Sequence, residues 1–367
     1  MASQRNYGDM LRGLMCGESL GREEACAAFG AVMDGQLSEA QIAALLVALA
    51  VKGETVEELT GAAEAMRARV VPIDTGGLEV IDTCGTGGTG LSTFNISTAS
   101  ALVAAGAGVR VAKHGNRTVT RASGSANVLA ALGVNIDAAC ETVARCLAEA
   151  GVCFCFAVHH HPAMKYAAPV RKALGVRTIF NLLGPLTNPA RARRQVMGVF
   201  DASLTEPIAR VLGLLGAERA LVVHADDGLD ELSTTAPTTM SLWERGVRKP
   251  GDRHLRPDCV GTPEPVPVFA GGEVVTSTVR PEDFNIPRAK MGDLMIDSAE
   301  ASADVVRAVL AGKPGPTRDI VALNAAAAIY VAGKAPGIAE AIAPAKASID
   351  SGAAAKALAK LVEISNR

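Results

Sequence analysis

Six residues, Gly85-Thr86-Gly87-Gly88-Thr89-Gly90, stand between a short apolar run, Leu78 to Asp82, and a small-residue run, Thr93 to Ala105. As a strand followed by a helix, these runs turn backbone N–H groups and a helix N-terminus toward one point, a cradle for an anion. The loop has the spelling of a dinucleotide fingerprint and the glycine spacing of a phosphate loop, but it fails the next requirement of each. A phosphate loop needs Lys-Ser or Lys-Thr directly after its last glycine, and this chain has Leu91-Ser92. A dinucleotide fold wants an acid at the end of the second strand, where this chain has Lys113-His114. A cation there suits a phosphate better than a diol. On the loop alone, a plain strand-to-helix turn is the competing reading.

Neighbouring residues strengthen the anion reading. Thr93, Asn95, Ser97 and Thr98 open the expected helix with three hydroxyls and an amide, more than one N-cap uses. Lys113-His114-Gly115-Asn116-Arg117-Thr118-Val119-Thr120-Arg121 then offers three cations and two hydroxyls in nine residues from a strand end. By itself this is a solvated loop. Strand ends on one edge of a parallel sheet face a common crevice, so the two loops are expected to converge on a ligand carrying more than one phosphate.

The elements that would position these residues follow from periodicity and punctuation. The first 70 residues read as a small helical bundle. Glu23–Met33 and Glu39–Val51 show helical spacing, and capping-box patterns occur at Ser38–Gln41 and Thr55–Glu58. From Leu78 strands alternate with helices. Val109–Ala112, Val152–Ala157, Gln195–Phe200 and Arg219–Val223 read as strands, Ser125–Leu132 and a segment through Leu212 as helices. This predicts an α/β domain with a largely parallel central sheet. His161–Leu174 reads as a helix that rejoins the bundle, and Phe180–Pro189 as a loop. The Pro- and Gly-rich stretch 249–272 reads as a surface excursion, and Asp304–Leu310, Asp319–Ala332 and Ile338–Leu361 as closing alanine-rich helices.

Composition narrows the function classes. The chain has 367 residues, 36 Lys and Arg against 38 Asp and Glu, and 3% aromatic residues. That balance disfavours a nucleic-acid or anionic-membrane partner, and there are too few aromatics for a base-stacking platform. The longest clean apolar run, Ile42–Val51, is short of the roughly 20 residues a membrane span needs. No targeting segment is recognised at the start, and eight Cys without a CxxC pair are expected to be reduced, which points to the cytoplasm.

Four stretches, 85–98 (GTGGTGLSTFNIST), 113–133 (KHGNRTVTRASGSANVLAALG), 161–190 (HPAMKYAAPVRKALGVRTIFNLLGPLTNPA) and 228–233 (GLDELS), closely resemble anthranilate phosphoribosyltransferase. The resemblance runs through most of the chain, including Pro281-Glu282-Asp283-Phe284. It implies a nucleoside phosphorylase-like fold: a small helical domain (1–72 with about 162–188) and an α/β domain (73–161 and 189–367), with a cleft between them. It further implies a homodimer joined through the helical domains. The reaction implied is the second committed step of tryptophan synthesis, in which the amine of anthranilate displaces pyrophosphate from phosphoribosyl pyrophosphate.

By the same resemblance, phosphoribosyl pyrophosphate would meet Gly85, Gly88, Thr89, Thr93, Asn95, Ile96, Ser97 and Thr98, the loop Lys113, His114, Gly115, Asn116, Arg117, Thr118, Val119, Thr120 and Arg121, and Ser125. Anthranilate would meet Gly85, Asn116 and Arg171, with His114 and His161 along its path. Two Mg²⁺ ions are implied, one on Ser97 and Glu231 and the other on Asp230 and Glu231.

The chemistry is compatible: Mg²⁺ on a polyphosphate usually takes one or two carboxylates plus substrate oxygens, although an acidic pair on a loop is often just solvated. Arg171 has the fork to hold a carboxylate, against a surface salt bridge. His159, His160 and His161 have the look of a metal tract, but neighbours in one short segment rarely converge on a metal, so channel or surface roles are expected. No covalent enzyme intermediate is expected; the reaction asks for positioning and electrostatics.

Three positions depart from the family pattern: Thr89, Asn127 and Val158 stand where Asp, Asp and Pro are usual. The rival enzyme reading is a pyrimidine nucleoside phosphorylase-like protein, which needs no acidic pair. The rival outside catalysis is a nucleic-acid-binding relative, which should have lost the acids and gained a basic surface.

Overall fold

The computed structural model describes residues 5–88, 90–117, 124–246 and 272–367. Four helices open it: α1 (Tyr7–Met15), α2 (Arg22–Met33), α3 (Glu39–Lys52) and α4 (Val56–Arg67). Both expected capping boxes form. Gln41 Oε1 accepts from Ser38 N at 2.9 Å, and Glu58 Oε2 accepts from Thr55 N at 2.8 Å. Glu58 does more than cap. It is fully buried, and its carboxylate also takes Lys52 Nζ at 2.9 Å and Leu20 N at 2.9 Å, tying α4 to the turn before α2.

The chain then alternates: β1 (Ile81–Gly85), α5 (Ile96–Gly106), β2 (Val111–Gly115), α6 (Ser125–Ala131), α7 (Cys140–Ala150) and β3 (Val152–Phe156). A return to the opening bundle follows through α8 (Ala157–His160), a 3₁₀ turn at Pro162–Tyr166, α9 (Ala168–Leu174) and α10 (Phe180–Leu183). Next come β4 (Arg194–Gly198), α11 (Thr205–Leu214), β5 (Arg219–Ala225), β6 (Thr238–Arg245) and β7 (Gly272–Val279). Helices α12 (Ala299–Leu310), α13 (Pro316–Val331), α14 (Ile338–Asp350) and α15 (Ala353–Ser365) finish the fold.

Among the described residues the strands form one sheet, ordered β3-β2-β1-β4-β5-β6-β7. The first five are parallel, and β6 and β7 add antiparallel. The α/β class and the largely parallel sheet are as expected; the two antiparallel strands were not, since the sequence there shows only β-branched residues and turns. Alternation divides the two cores. Val196, Leu221 and Val223 face the layer of α5 and α12 to α15, while Met197, Ala220 and Val222 face α11 and the opening helices. The helical bundle therefore shares one apolar core with a face of the sheet. No described helix is long and apolar enough to cross a membrane.

Local departures have simple causes. Strand β1 begins at Ile81 rather than Leu78, and α5 begins at Ile96 because Asn95 takes the cap. The expected helix His161–Leu174 breaks into a 3₁₀ turn and α9, with Pro162 and Pro169 each opening a new first turn. Phe180–Leu183, expected as loop, is a helical turn. Ile338–Leu361 is two helices, because Gly352 takes φ 74° between them. The 249–272 excursion falls almost wholly outside the described residues.

Candidate active site

The order of the strands reverses at β1, which lies between β2 and β4, and the glycine loop leaves β1 at that point. In open α/β sheets the crevice beyond the carboxyl ends of the strands at such a reversal is where ligands bind. Gly85 pairs with Gly198 across β1 and β4, and Thr86 N continues the pairing to Gly198 O at 2.9 Å. Both glycines are required by what crosses them. A Cβ on Gly198 would overlap the Asp230 carbonyl, and one on Gly85 would overlap the Asp230 carboxylate. Asp230 is accordingly buried, and its Oδ2 accepts from Gly87 N at 2.9 Å.

The loop that carries Asp230 and Glu231 is braced, not a solvated turn. Asn324 of α13 clamps its far side: Leu232 N donates to Asn324 Oδ1 at 2.9 Å, and Asn324 Nδ2 donates to Leu232 O at 2.8 Å. Asp227 holds the near side through Leu229 N at 3.1 Å and Ser233 Oγ at 2.6 Å. Ser97, Asp230, Glu231, Asn324, Thr83 and Ser100 then line one small hollow of about 10 Å³, roughly the room for one water. Ser97 and the adjacent acidic pair, far apart in sequence, line the same hollow.

On the other side of β1 the sheet opens. Only Ile81 pairs with Val111 across β1 and β2, and beyond that pair side chains replace the ladder. Asp82 Oδ1 accepts from His114 N at 3.1 Å, and Lys113 Nζ donates to Thr83 O at 2.6 Å and to Ser97 Oγ at 3.0 Å. Burial pushes the Asp82 carboxyl up and pulls the Lys113 ammonium down, each charge partly offsetting the shift of the other. Lys113 is thus no surface cation reaching for phosphate. It lies beneath the crevice and acts on Ser97, whose oxygen keeps a second lone pair.

At the start of α5, Asn95 Oδ1 caps Thr98 N at 3.2 Å and also accepts the Thr98 hydroxyl. Ile96 is buried, and its N–H goes to Phe94 O at 2.8 Å, so the expected phosphate contacts of Asn95, Ile96 and Thr98 compete with local bonds. Thr93 bridges to Met295. Gly115 and Ser125 are in contact, Asn116 Oδ1 accepts from Arg117 N at 2.7 Å, and the Arg117 guanidinium lies 5.6 Å from the Phe156 ring centre. Thr89, Thr118, Val119, Thr120 and Arg121 lie outside the described residues.

The three consecutive histidines diverge. His159 Nε2 meets Asp137 at 2.8 Å, His160 Nδ1 meets Val71 O at 2.8 Å, and His161 Nε2 meets His114 Nε2 at 3.2 Å. Burial, aided by His160, pulls His161 down to about 4, and burial holds His114 well below the usual imidazole range. The last pair joins two expected anthranilate residues. Arg171 stands on α9 with its guanidinium 5.4 Å from the Phe180 ring centre. Among the described residues it has no acidic partner, and burial lowers its pKa from the usual guanidinium value. The salt-bridge reading of Arg171 thereby loses its partner.

Of the departures, Asn127 serves the cap of α6 by accepting from Gly124 N at 3.3 Å, and Val158 is exposed on α8. Sequence reasoning missed Asn324, Thr83 and Asp82. A lone amide in the alanine-rich run of α13 was the available signal for Asn324. Among the described residues no three His, Cys, Asp or Glu side chains cluster as a metal cage.

A helical bundle beside a largely parallel sheet, with a glycine loop and an acidic pair at its strand reversal, is the arrangement of a glycosyltransferase. Residues 9–70 match the glycosyl transferase family, helical bundle domain, and residues 77–261 and 259–355 match the glycosyl transferase family, a/b domain. The anthranilate phosphoribosyltransferase of Moorella thermoacetica is 48% identical over 95% of each chain. That of Rhodospirillum rubrum is 48% identical over 99% of this chain and 98% of its own. A crystal structure of anthranilate phosphoribosyltransferase from Thermus thermophilus superposes with a TM-score of 0.85 at 39% identity, covering 98% of this chain and all of that one, 100%. The Saccharomyces cerevisiae enzyme in complex with PRPP and Mg has the same fold, with a TM-score of 0.80 at 23% identity and 99% of both chains covered. The chain belongs to the anthranilate phosphoribosyltransferase family.

Proposed function

We propose that the protein joins the amine of anthranilate to the anomeric carbon of phosphoribosyl pyrophosphate, releasing pyrophosphate and N-(5-phosphoribosyl)anthranilate. The observation that carries this reading is the hollow at the strand reversal, where Ser97, Asp230 and Glu231 meet beside the glycine loop. Ser97, Asp230 and Glu231 offer it hard oxygens, too few for a protein-only cage. That fits magnesium completed by diphosphate oxygens and water, with two ions shared among Ser97, Asp230 and Glu231. Magnesium bound there supplies charge neutralisation to the leaving pyrophosphate.

The chain's own residues do the rest by position. Asp230 fixes the glycine loop through Gly87 N, and Lys113 orients Ser97 from below. Arg171, half-buried and without an acidic partner among the described residues, is suited to fork onto the carboxylate of anthranilate. The His161–His114 pair, held neutral by burial, offers that aromatic acid a path without another charge. The aryl amine is neutral near pH 7, so aiming it at the anomeric carbon is the catalytic task. The proposed division is a helical domain of 1–72 with about 162–188 and an α/β domain of 73–161 and 189–367. Homodimerisation through the helical domain is supported by exposed Met15, Val47 and Val51, and a cytoplasmic setting by the free thiols of the seven described cysteines.

Loss of anthranilate fluorescence on adding phosphoribosyl pyrophosphate and Mg²⁺ tests the reaction. Arg171→Ala should raise the anthranilate KM strongly, since truncating one member of a buried charge pair costs about 2–5 kcal/mol, and should leave the diphosphate KM near wild type. Asp230→Asn with Glu231→Gln should lower turnover steeply and raise the Mg²⁺ requirement. An anthranilate KM unmoved by Arg171→Ala would overturn that assignment, and no wild-type turnover would overturn the reaction.

A further inference from the structure

The segment that leaves α9 toward α10 carries a second arginine, Arg177, six residues after Arg171 and three before Phe180. Its guanidinium reaches over to the other side of the crevice. Nη2 donates to the Gly88 carbonyl, and the guanidinium carbon lies over the Phe200 ring, 4.4 Å from its centre. Its positive charge also acts on Asp201, at the mouth of β4. Gly88 lies directly against this group: a Cβ there would sit in van der Waals contact, 3.4 Å from both Arg177 Nε and Nη2, and it is the backbone φ of 79° that calls for glycine.

The glycine loop is thus tied on two sides. Asp230 takes the Gly87 N–H from the sheet side, and Arg177 takes the Gly88 carbonyl from the α9–α10 side. A loop that receives a polyanion through backbone N–H groups must have its peptide planes set before the ligand arrives, or ligand binding must supply the ordering. We propose that Arg177 is a positioning residue that presets the glycine loop for the diphosphate and links it to the segment carrying Arg171. Phe200 is part of the device, because a ring under the planar guanidinium fixes its direction in a way that an ammonium could not reproduce.

This inference rests on the proposed reaction for its kinetic consequence, while its structural core is testable without substrate. Hydrogen exchange at the Thr86–Gly88 amides of the unliganded protein is the direct readout. Arg177→Ala should speed exchange there at least fivefold, Arg177→Lys should restore little of the protection, and Phe200→Leu should give an intermediate gain. Exchange in α5 and the melting temperature should stay at wild-type values, which a merely structural role would not predict. In turnover, Arg177→Ala should raise the KM for phosphoribosyl pyrophosphate at least fivefold, with kcat falling less than threefold. Unchanged exchange at Thr86–Gly88, or full rescue by Arg177→Lys, overturns the clamp. An active wild type with an unmoved diphosphate KM in Arg177→Ala overturns its role in binding. An inactive wild type would instead refute the reaction, and the exchange result would still decide the clamp.

Discussion

Two imidazoles facing each other at 3.2 Å in a buried site make a pH-sensitive contact. Only one ring of the pair needs to carry a proton for the bond, and neither ring gains from a positive charge there. Burial is the main cause, with His160 adding to it, and His161 is pulled down to about 4 from 6.5. The sign follows from proton counting. Between pH 4 and 6.5 the unfolded chain holds more protons on this group than the folded one, so stability rises with pH through that window. The contribution is present above 6.5 and is lost as pH falls toward 4; a shift of this size corresponds to roughly 3 kcal/mol at most. His161→Gln removes the titrating group. Its unfolding midpoint should therefore fall less steeply than that of wild type between pH 6.5 and 4.5. Parallel curves for the two proteins would show that the pair titrates normally.

At the scale of elements, the buried carboxylate of Glu58 is the clearest case of one side chain doing several jobs. It closes the cap of α4, accepts Leu20 N and pairs with Lys52, whose side chain is nearly buried as well. Glu58→Gln keeps the volume but leaves the Lys52 ammonium without its counter-charge. Breaking a buried pair from one side costs about 3–5 kcal/mol, so the melting temperature should drop by many degrees; a drop within error would mean that water already screens the pair. Glu58 was legible in the sequence as a capping-box residue, because Thr55 stands three positions before it, but its bond to Leu20 was not. The same line divides the rest. The glycine loop, the α/β alternation and the Ser97, Asp230 and Glu231 set could be read from local spelling and the family motifs. The Asn324 clamp, the inward turn of Lys113 and the pairing of β6 with β7 depend on partners dozens of residues away, and no local pattern encodes them. The break between α8 and α9 is written locally, in Pro162 and Pro169, although the apolar spacing runs through it.

For the whole molecule, the decisive feature is that the helical bundle and one face of the sheet bury a common core. Arg67, the last residue of α4, crosses that boundary: Nε donates to Leu186 O at 2.7 Å and Nη1 to Leu215 O at 2.9 Å, at the end of α11. Burial draws its pKa down to about 10, so it stays charged at pH 7 and complements the negative end of that helix. Trp243, the one tryptophan, lies in the same core between Gly213 and Gly272, where a Cβ on either would run into the ring. Tryptophan emission and far-ultraviolet dichroism should therefore report one coincident transition. Arg67→Met should shift both together by about 2–4 kcal/mol through two stranded carbonyls. Two separated transitions would mean the lobes unfold independently. The shared core also sets a timetable for synthesis. The carbonyls that receive Arg67 lie 119 and 148 residues further along the chain. At about 5–20 residues per second, the end of the opening bundle is synthesised roughly 7–30 s before its second partner is. Through that interval the newborn bundle carries an apolar flank whose partner surface on α11 has not yet been made.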